Sequence, residues 1–316
     1  MIRFLILRLL AAVPTLFVIS VVVFCLQLLL PGDAALVIGG GEATQETIER
    51  IREETGYNDP YVVQYARWIG AALQGDFGVS YRTRDAIGPM LLQKIPVTLH
   101  LALAALVLSL AIGIPAGIVA AVWRGRGWDI AVTVTALAGI SMPNFWLGIM
   151  LILLFAVNLG WLPASGYVSP FVDPVASLKS ILMPAIVLGL PLAAAMMRHT
   201  RSAMLSVLQQ DYIRTARAKG LIEGVVIRKH ALRNALVPII TLATLQFGNL
   251  MAGAVLTEQI FSVPGLGKMI VDAVFNREYA VVQAVTLLSG FTFVLLSLLA
   301  DVLYYWANPK LRSRSL

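Results

Sequence analysis

Six long apolar runs, at about residues 9–30, 98–122, 130–159, 181–197, 236–256 and 281–306, constrain this chain more than any other feature. Each is long enough, at 17 to 25 residues or more, to cross a hydrocarbon layer as a helix. A helix is required there because each unpaired backbone amide in lipid costs several kcal/mol and a helix satisfies its own. An outer-membrane barrel would instead show alternating segments of about ten residues. Hydrophobic residues make up 59% of the 316 and charged residues 13%, about half the charged share of a soluble domain, so lipid is a necessary partner. The expected fold is an all-α polytopic membrane protein with six transmembrane helices.

Arg3 and Arg8 precede the first run, as in a secretory signal, but the run is too long and ends in Leu28, Leu29, Leu30 and Pro31 without a small-residue cleavage site. We read it as an uncleaved span. The lone cysteine, Cys25, lies within it, so no intrachain disulfide can form. With the N-terminus inside, 15 of the 24 Lys and Arg residues fall on the cytoplasmic side, and most of the others sit in one long outer loop. Both termini are therefore expected in the cytoplasm, and the basic charge reflects topology, with no nucleic acid as partner.

The chain is expected to divide into residues 1–97, a first span with an extracytoplasmic cap loop, and residues 98–316, a five-helix core. The cap loop carries Gly39 to Gly41, an acidic stretch from Glu42 to Glu54, then Tyr57, Tyr61, Tyr65 and Trp68; short helices are expected in it. Span four is the shortest run.

Several chemical readings fail on spacing. Gly265-Leu266-Gly267-Lys268-Met269 resembles a phosphate loop, but Met269 replaces the magnesium-binding Ser or Thr and Ser262 replaces the first Gly. His100, His199 and His230 lie in separate segments without ligand spacing, so no metal site is expected. Asp301, inside the last run, could serve a proton-coupled transporter or an intramembrane hydrolase, but without a second acid nearby a structural hydrogen bond is the simpler role.

Two features suggest a solute path. The third run is interrupted at Ser141, Pro143, Asn144 and Phe145, where proline removes a helical donor and a kink is expected; the alternative is a kinked packing helix. In span five Gln246 and Asn249 are three apart and so share a helical face, either lining the path or joining helices.

The segment at about 202–235 is the strongest signal. Asp211 is a favourable N-cap, Ala216 and Ala218 favour helix, and Gly220 suits a left-handed terminus. A helix of about eight residues is too short to persist alone and needs a surface to pack on. Small Thr215, Ala216 and Ala218 allow close approach, while Arg214, Arg217 and Lys219 offer charge to an acidic groove.

Tyr212-Ile213-Arg214-Thr215-Ala216-Arg217-Ala218-Lys219-Gly220, followed by His230-Ala231-Leu232-Arg233-Asn234-Ala235 and Pro238, resembles the EAA motif of ABC importer permeases in its dipeptide, oligopeptide and nickel variant. Further pieces agree along nearly the whole chain: Leu30 to Asp33, Gln74 to Gly78, Ser141 to Gly148, Leu159 to Pro163, Glu258 to Gly267 and Asp301 to Tyr305. The resemblance is to the first of two permease subunits and implies the type I importer fold. It further implies a related second permease, two cytosolic ATPases and an extracytoplasmic solute-binding protein, with Tyr212 to Gly220 as the coupling helix. ATP and magnesium would sit on the ATPases, leaving this chain neither an enzyme nor a cofactor carrier. The implied cargo is a di- or oligopeptide or related solute, or nickel.

Overall fold

The structure, a computed structural model, describes residues 2–29 and 44–307; side chains are described for 6–28, 44–251 and 254–302. The Leu30 to Asp33 piece, the start of the cap loop at Gly39 to Glu42, the side chains of Tyr304 and Tyr305, and Lys310, Arg312 and Arg314 lie outside it. Helices are α1 (Ile2–Leu29), α2 (Gln45–Thr55), α3 (Tyr61–Leu73), α4 (Ile87–Val122), α5 (Gly127–Ser141), α6 (Asn144–Leu151), α7 (Pro174–Leu208), α8 (Asp211–Ala218), α9 (Glu223–Val225), α10 (Arg233–Gly253), α11 (Val255–Ile260), α12 (Leu266–Phe275) and α13 (Tyr279–Ala307). Two π-helical segments, Ile152–Asn158 and Val226–Leu232, extend α6 and join α9 to α10. Among the described residues five helices are long and apolar enough to span a membrane, and six if the bent pair α5–α6 counts as one span.

Several boundaries differ from the sequence reading, for one physical reason: hydropathy marks where side chains are apolar, whereas a helix ends where its caps are. The fourth run is not the shortest span but the core of α7, 35 residues long. Its start is set by Asp173, whose side chain accepts from the Val175 and Ala176 amides, with Pro174 at the first helical position. Helix α4 starts at Ile87 and runs unbroken across residues 97 and 98, so cap and core share it. The fifth span is helical from Glu223, well inside what reads as a cytoplasmic loop.

Pro143 does more than kink span three. Met142 and Pro143 are both extended, and α5 and α6 diverge by 97°. A residue before proline is driven out of the helical region, so the break spreads over two residues.

The core is α4 against α7. Gly113 and Gly117, four apart on α4, lie so close to α7 that a Cβ would meet the Ala193 carbonyl at 2.6 Å and Thr200 Cβ at 2.5 Å. Small residues at this spacing let two backbones approach, which is how membrane helices gain dispersion energy without a hydrophobic drive. In the first turn of α5, at the end away from the break, Arg201 of α7 grips Asp129 with two bonds of 2.8 Å, and Asp129 also accepts from the Gly125 amide. Asp301 pairs with Arg8 of α1 at 2.9 Å.

The expected cap helices are present. Thr44 caps α2 by accepting from the Thr47 amide, and Gly56 at φ +71° ends it. Tyr65 of α3 packs edge-on against Phe17 and Phe24 of α1, with its hydroxyl 2.7 Å from Ser20 Oγ. A turn at 78–86 is tied to the start of α13 by Glu278, which accepts from Ser80 Oγ and the Tyr81 and Arg82 amides.

Candidate functional site

The residues singled out in the sequence fall into three groups, two of which border α4 and the third of which lies around the break and on span five. Ala121 near the C-terminus of α4 borders α8, while Thr98, about a third of the way along it, borders the hairpin α11–α12. At 1.5 Å per residue Thr98 and Ala121 are about 35 Å apart.

At the α8 end, Ile213 and Ala216 are buried with Ala121, Met204, Val226, Ala231 and Ala235. Tyr212, Arg214, Thr215, Arg217, Ala218, Lys219 and Gly220 are exposed. Ala216 therefore faces the chain's own bundle rather than offering a small surface outward. Asp211 is the first helical residue, with Gln210 before it as the cap, so the N-cap assignment moves by one. Gly220 has φ +77°, its amide bonds the Arg217 carbonyl, and the Leu221 amide bonds the Ala216 carbonyl. This is the Schellman ending that a glycine at this place permits.

Two clasps tie α8 to the base of span five, and neither was legible in the sequence. Asn234 Nδ2 donates to the Tyr212 hydroxyl at 2.9 Å. Arg217 donates to both carboxylate oxygens of Glu223, at 2.6 and 3.1 Å. The Arg217 guanidinium is thus already partnered, Arg214 makes a looser 3.3 Å pair with Asp211, and Lys219 makes no ion pair among the described residues. Beyond Gly220, Leu221 and Ile222 stand exposed, Ile222 at 78%.

At the other end the loop that resembles a phosphate cradle holds an anion of its own chain. Glu258 is fully buried; it accepts from Thr98 Oγ1 at 2.8 Å and from the Lys268 amide at 2.9 Å, with the Gly267 amide also directed at it. The Leu266 amide donates in turn to Thr98 Oγ1 at 2.8 Å. A Cβ on Gly265 would collide with the carboxylate, so no phosphate has room there. Burial pushes the Glu258 carboxyl above the ordinary range, opposed by the donors around it.

Around the break, Ser141, Pro143 and Phe145 are exposed and Asn144 half-buried. Span five separates the two amides: Asn249 is exposed, while Gln246 is buried with no hydrogen-bond partner for its Oε1 among the described residues. Three residues along a helix leave a 60° offset, and here the edge of the buried face falls between them. His100 meets the Tyr167 hydroxyl at 3.2 Å, and no cluster of metal-ligating side chains occurs among the described residues.

A bundle of membrane-length helices, broken at one proline and carrying a short clasped helix at one end, defines a polytopic membrane protein. The chain belongs to the family described as "Binding-protein-dependent transport system inner membrane component", which matches residues 113–313; the N-terminal model of such membrane components matches residues 1–102. It is 43% identical to the glutathione transport system permease protein GsiC of Escherichia coli K12 over 312 residues, 99% of each chain. It is equally 43% identical, over 96% of its length and 97% of the relative, to a protein of Brucella abortus provisionally named a peptide transport system permease protein. Its fold is similar to a chain of the MetNI methionine ABC transporter, with a TM-score of 0.59 at 19% identity over 69% of this chain and 96% of that one. The chain is thus a multi-pass permease subunit of an ABC importer in a bacterial inner membrane.

Proposed function

We propose that this permease forms half of a path for a di- or oligopeptide, glutathione-like peptides included, paired with a related second permease, two cytosolic ATPases and a solute-binding protein. In this reading both termini are cytoplasmic, ATP and magnesium act only on the ATPases, and residues 1–97 form a span and cap beside the core of 98–316. The single observation that carries it is α8. A basic helix of eight residues, with Ile213 and Ala216 locked into its own bundle and Tyr212, Leu221 and Ile222 left exposed, suits a helix that sits on a partner and moves with its own spans. Relatives named for peptide and glutathione transport support the cargo, and favour it over nickel.

The test is co-purification of the ATPase subunits with Ile222→Asp and Lys219→Glu variants of the intact complex, together with uptake of labelled glutathione and trialanine. Loss of ATPase association, with the permease still inserted, is expected. Wild-type association and stimulated hydrolysis in both variants would remove α8 from the coupling role. Ser141, Pro143, Asn144, Phe145 and Asn249 border the path in this reading. Gln246, buried, belongs instead to a helix contact.

A further inference from the structure

The hairpin α11–α12 is packed against four other helices, α4, α6, α7 and α13. Its second helix packs Leu266, Met269 and Ala273 against Ile87 and Leu91 of α4 and Val281, Ala284 and Val285 of α13. Its turn inserts Phe261 and Val263 among Val97, Met183 and Val187, with Leu147 and Leu151 of α6 packed on the same cluster. Gly148 of α6 lies against Ile260 and Phe261 closely enough that a Cβ would touch both. Helix α6 starts at Asn144, so the hairpin is the body on which the far side of the proline break rests.

What holds the hairpin to α4 is a polar contact in an apolar setting. Thr98 Oγ1 donates to Glu258 and accepts from Leu266, so one hydroxyl joins both helices of the hairpin to span two. Glu258 closes the turn on itself through the Lys268 amide. The partners of the carboxylate are donors, an arrangement that suits two acceptor oxygens and no amide nitrogen. Such a contact has a defined geometry where apolar packing alone would let the hairpin slide.

We propose that Glu258 and Thr98 are positioning residues for transport: they set the seat of α11–α12 on α4 and thereby the position of α6 and the opening of the path beside Asn144. This rests on the reading of Asn144 as a path residue. A contact that only stabilises would change assembly; one that positions α6 changes how access at Asn144 follows the nucleotide state.

The experiment uses the full transporter in proteoliposomes with Cys25→Ser and Asn144→Cys as the parent. Labelling of position 144 by a small charged methanethiosulfonate is compared without nucleotide and after trapping with ATP and vanadate. The parent is expected to differ at least threefold between the two states. Glu258→Gln and Thr98→Val should each reduce that ratio towards one while the complex assembles, and Thr98→Ser, which keeps the hydroxyl, should retain it. An unchanged ratio in Glu258→Gln or Thr98→Val overturns the proposal and leaves the path reading intact. A parent that labels in neither state, or equally in both, overturns the role of Asn144 and the proposal with it. Failure of both variants to assemble, with Thr98→Ser assembling, makes the contact one of folding alone and also overturns it.

Discussion

The Arg217 guanidinium closes on both oxygens of Glu223 across the turn that ends α8, so the most conspicuous cation of the short helix is spent within the chain. Both side chains are about half exposed, and such pairs contribute only about 0.2 to 1 kcal/mol, so the clasp directs α8 more than it stabilises the fold. Together with the Asn234–Tyr212 bond it ties α8 to the start of span five.

Arg217→Glu is therefore expected to lower solute-stimulated ATP hydrolysis by placing two carboxylates side by side. The swapped double variant Arg217→Glu with Glu223→Arg should recover most of it. Hydrolysis assays on the intact complex at low and high salt check this; a swap no better than the single change would mean that Arg217 acts on a partner surface instead.

At Gly220 the cost of a side chain is conformational, since a Cβ there would meet nothing within 4 Å. Gly220→Ala should cost about 1 kcal/mol and Gly220→Val about 2, because β-branching is least tolerated at positive φ. Stimulated hydrolysis should fall in the same order while membrane insertion is unchanged, as measured by ATPase assay and membrane yield.

The Asp129–Arg201 pair is buried on its acid side and holds α5 to α7. Asp129→Ala leaves Arg201, itself about one third exposed, without its carboxylate and should destabilise the chain by about 1 to 3 kcal/mol. Thermal unfolding in detergent should show a lowered midpoint, partly restored by adding Arg201→Met, which removes the orphaned charge.

Cysteines at Phe145 and Asn249 are expected to react with small polar reagents in at least one nucleotide state, and one at Gln246 to stay unreactive. The difference follows from the exposure of the first two and the burial of the third. Equal labelling of Gln246 and Asn249 would return both amides to one polar face.

Orientation is checked by impermeant labelling: a cysteine at Gly41 should react from outside and one at Ser313 should not. The expectation rests on the basic bias of the short loops. Both positions lie outside the described residues, and the opposite pattern would move α8 to the wrong side for an ATPase.

The sequence by itself determined the class. Long apolar runs admit only helices in lipid, proline at 143 breaks one of them, and a small-residue helix ending in Gly220 announces a docking element. These are local properties, set by neighbours along the chain. The Gly113 and Gly117 spacing that seats α4 on α7 was also present in the sequence, though its partner face was not. Tertiary structure alone decided which polar groups meet. Glu258 reaches Thr98 across 160 positions, Arg201 reaches Asp129 across 72, and Glu278 reaches Ser80 across 198. No periodicity encodes such pairs, because they exist only once packing brings distant helices together and a buried charge must find its donors there. The same packing divided Gln246 from Asn249, since helical spacing sets the angle between two side chains but not where a neighbouring helix ends its cover.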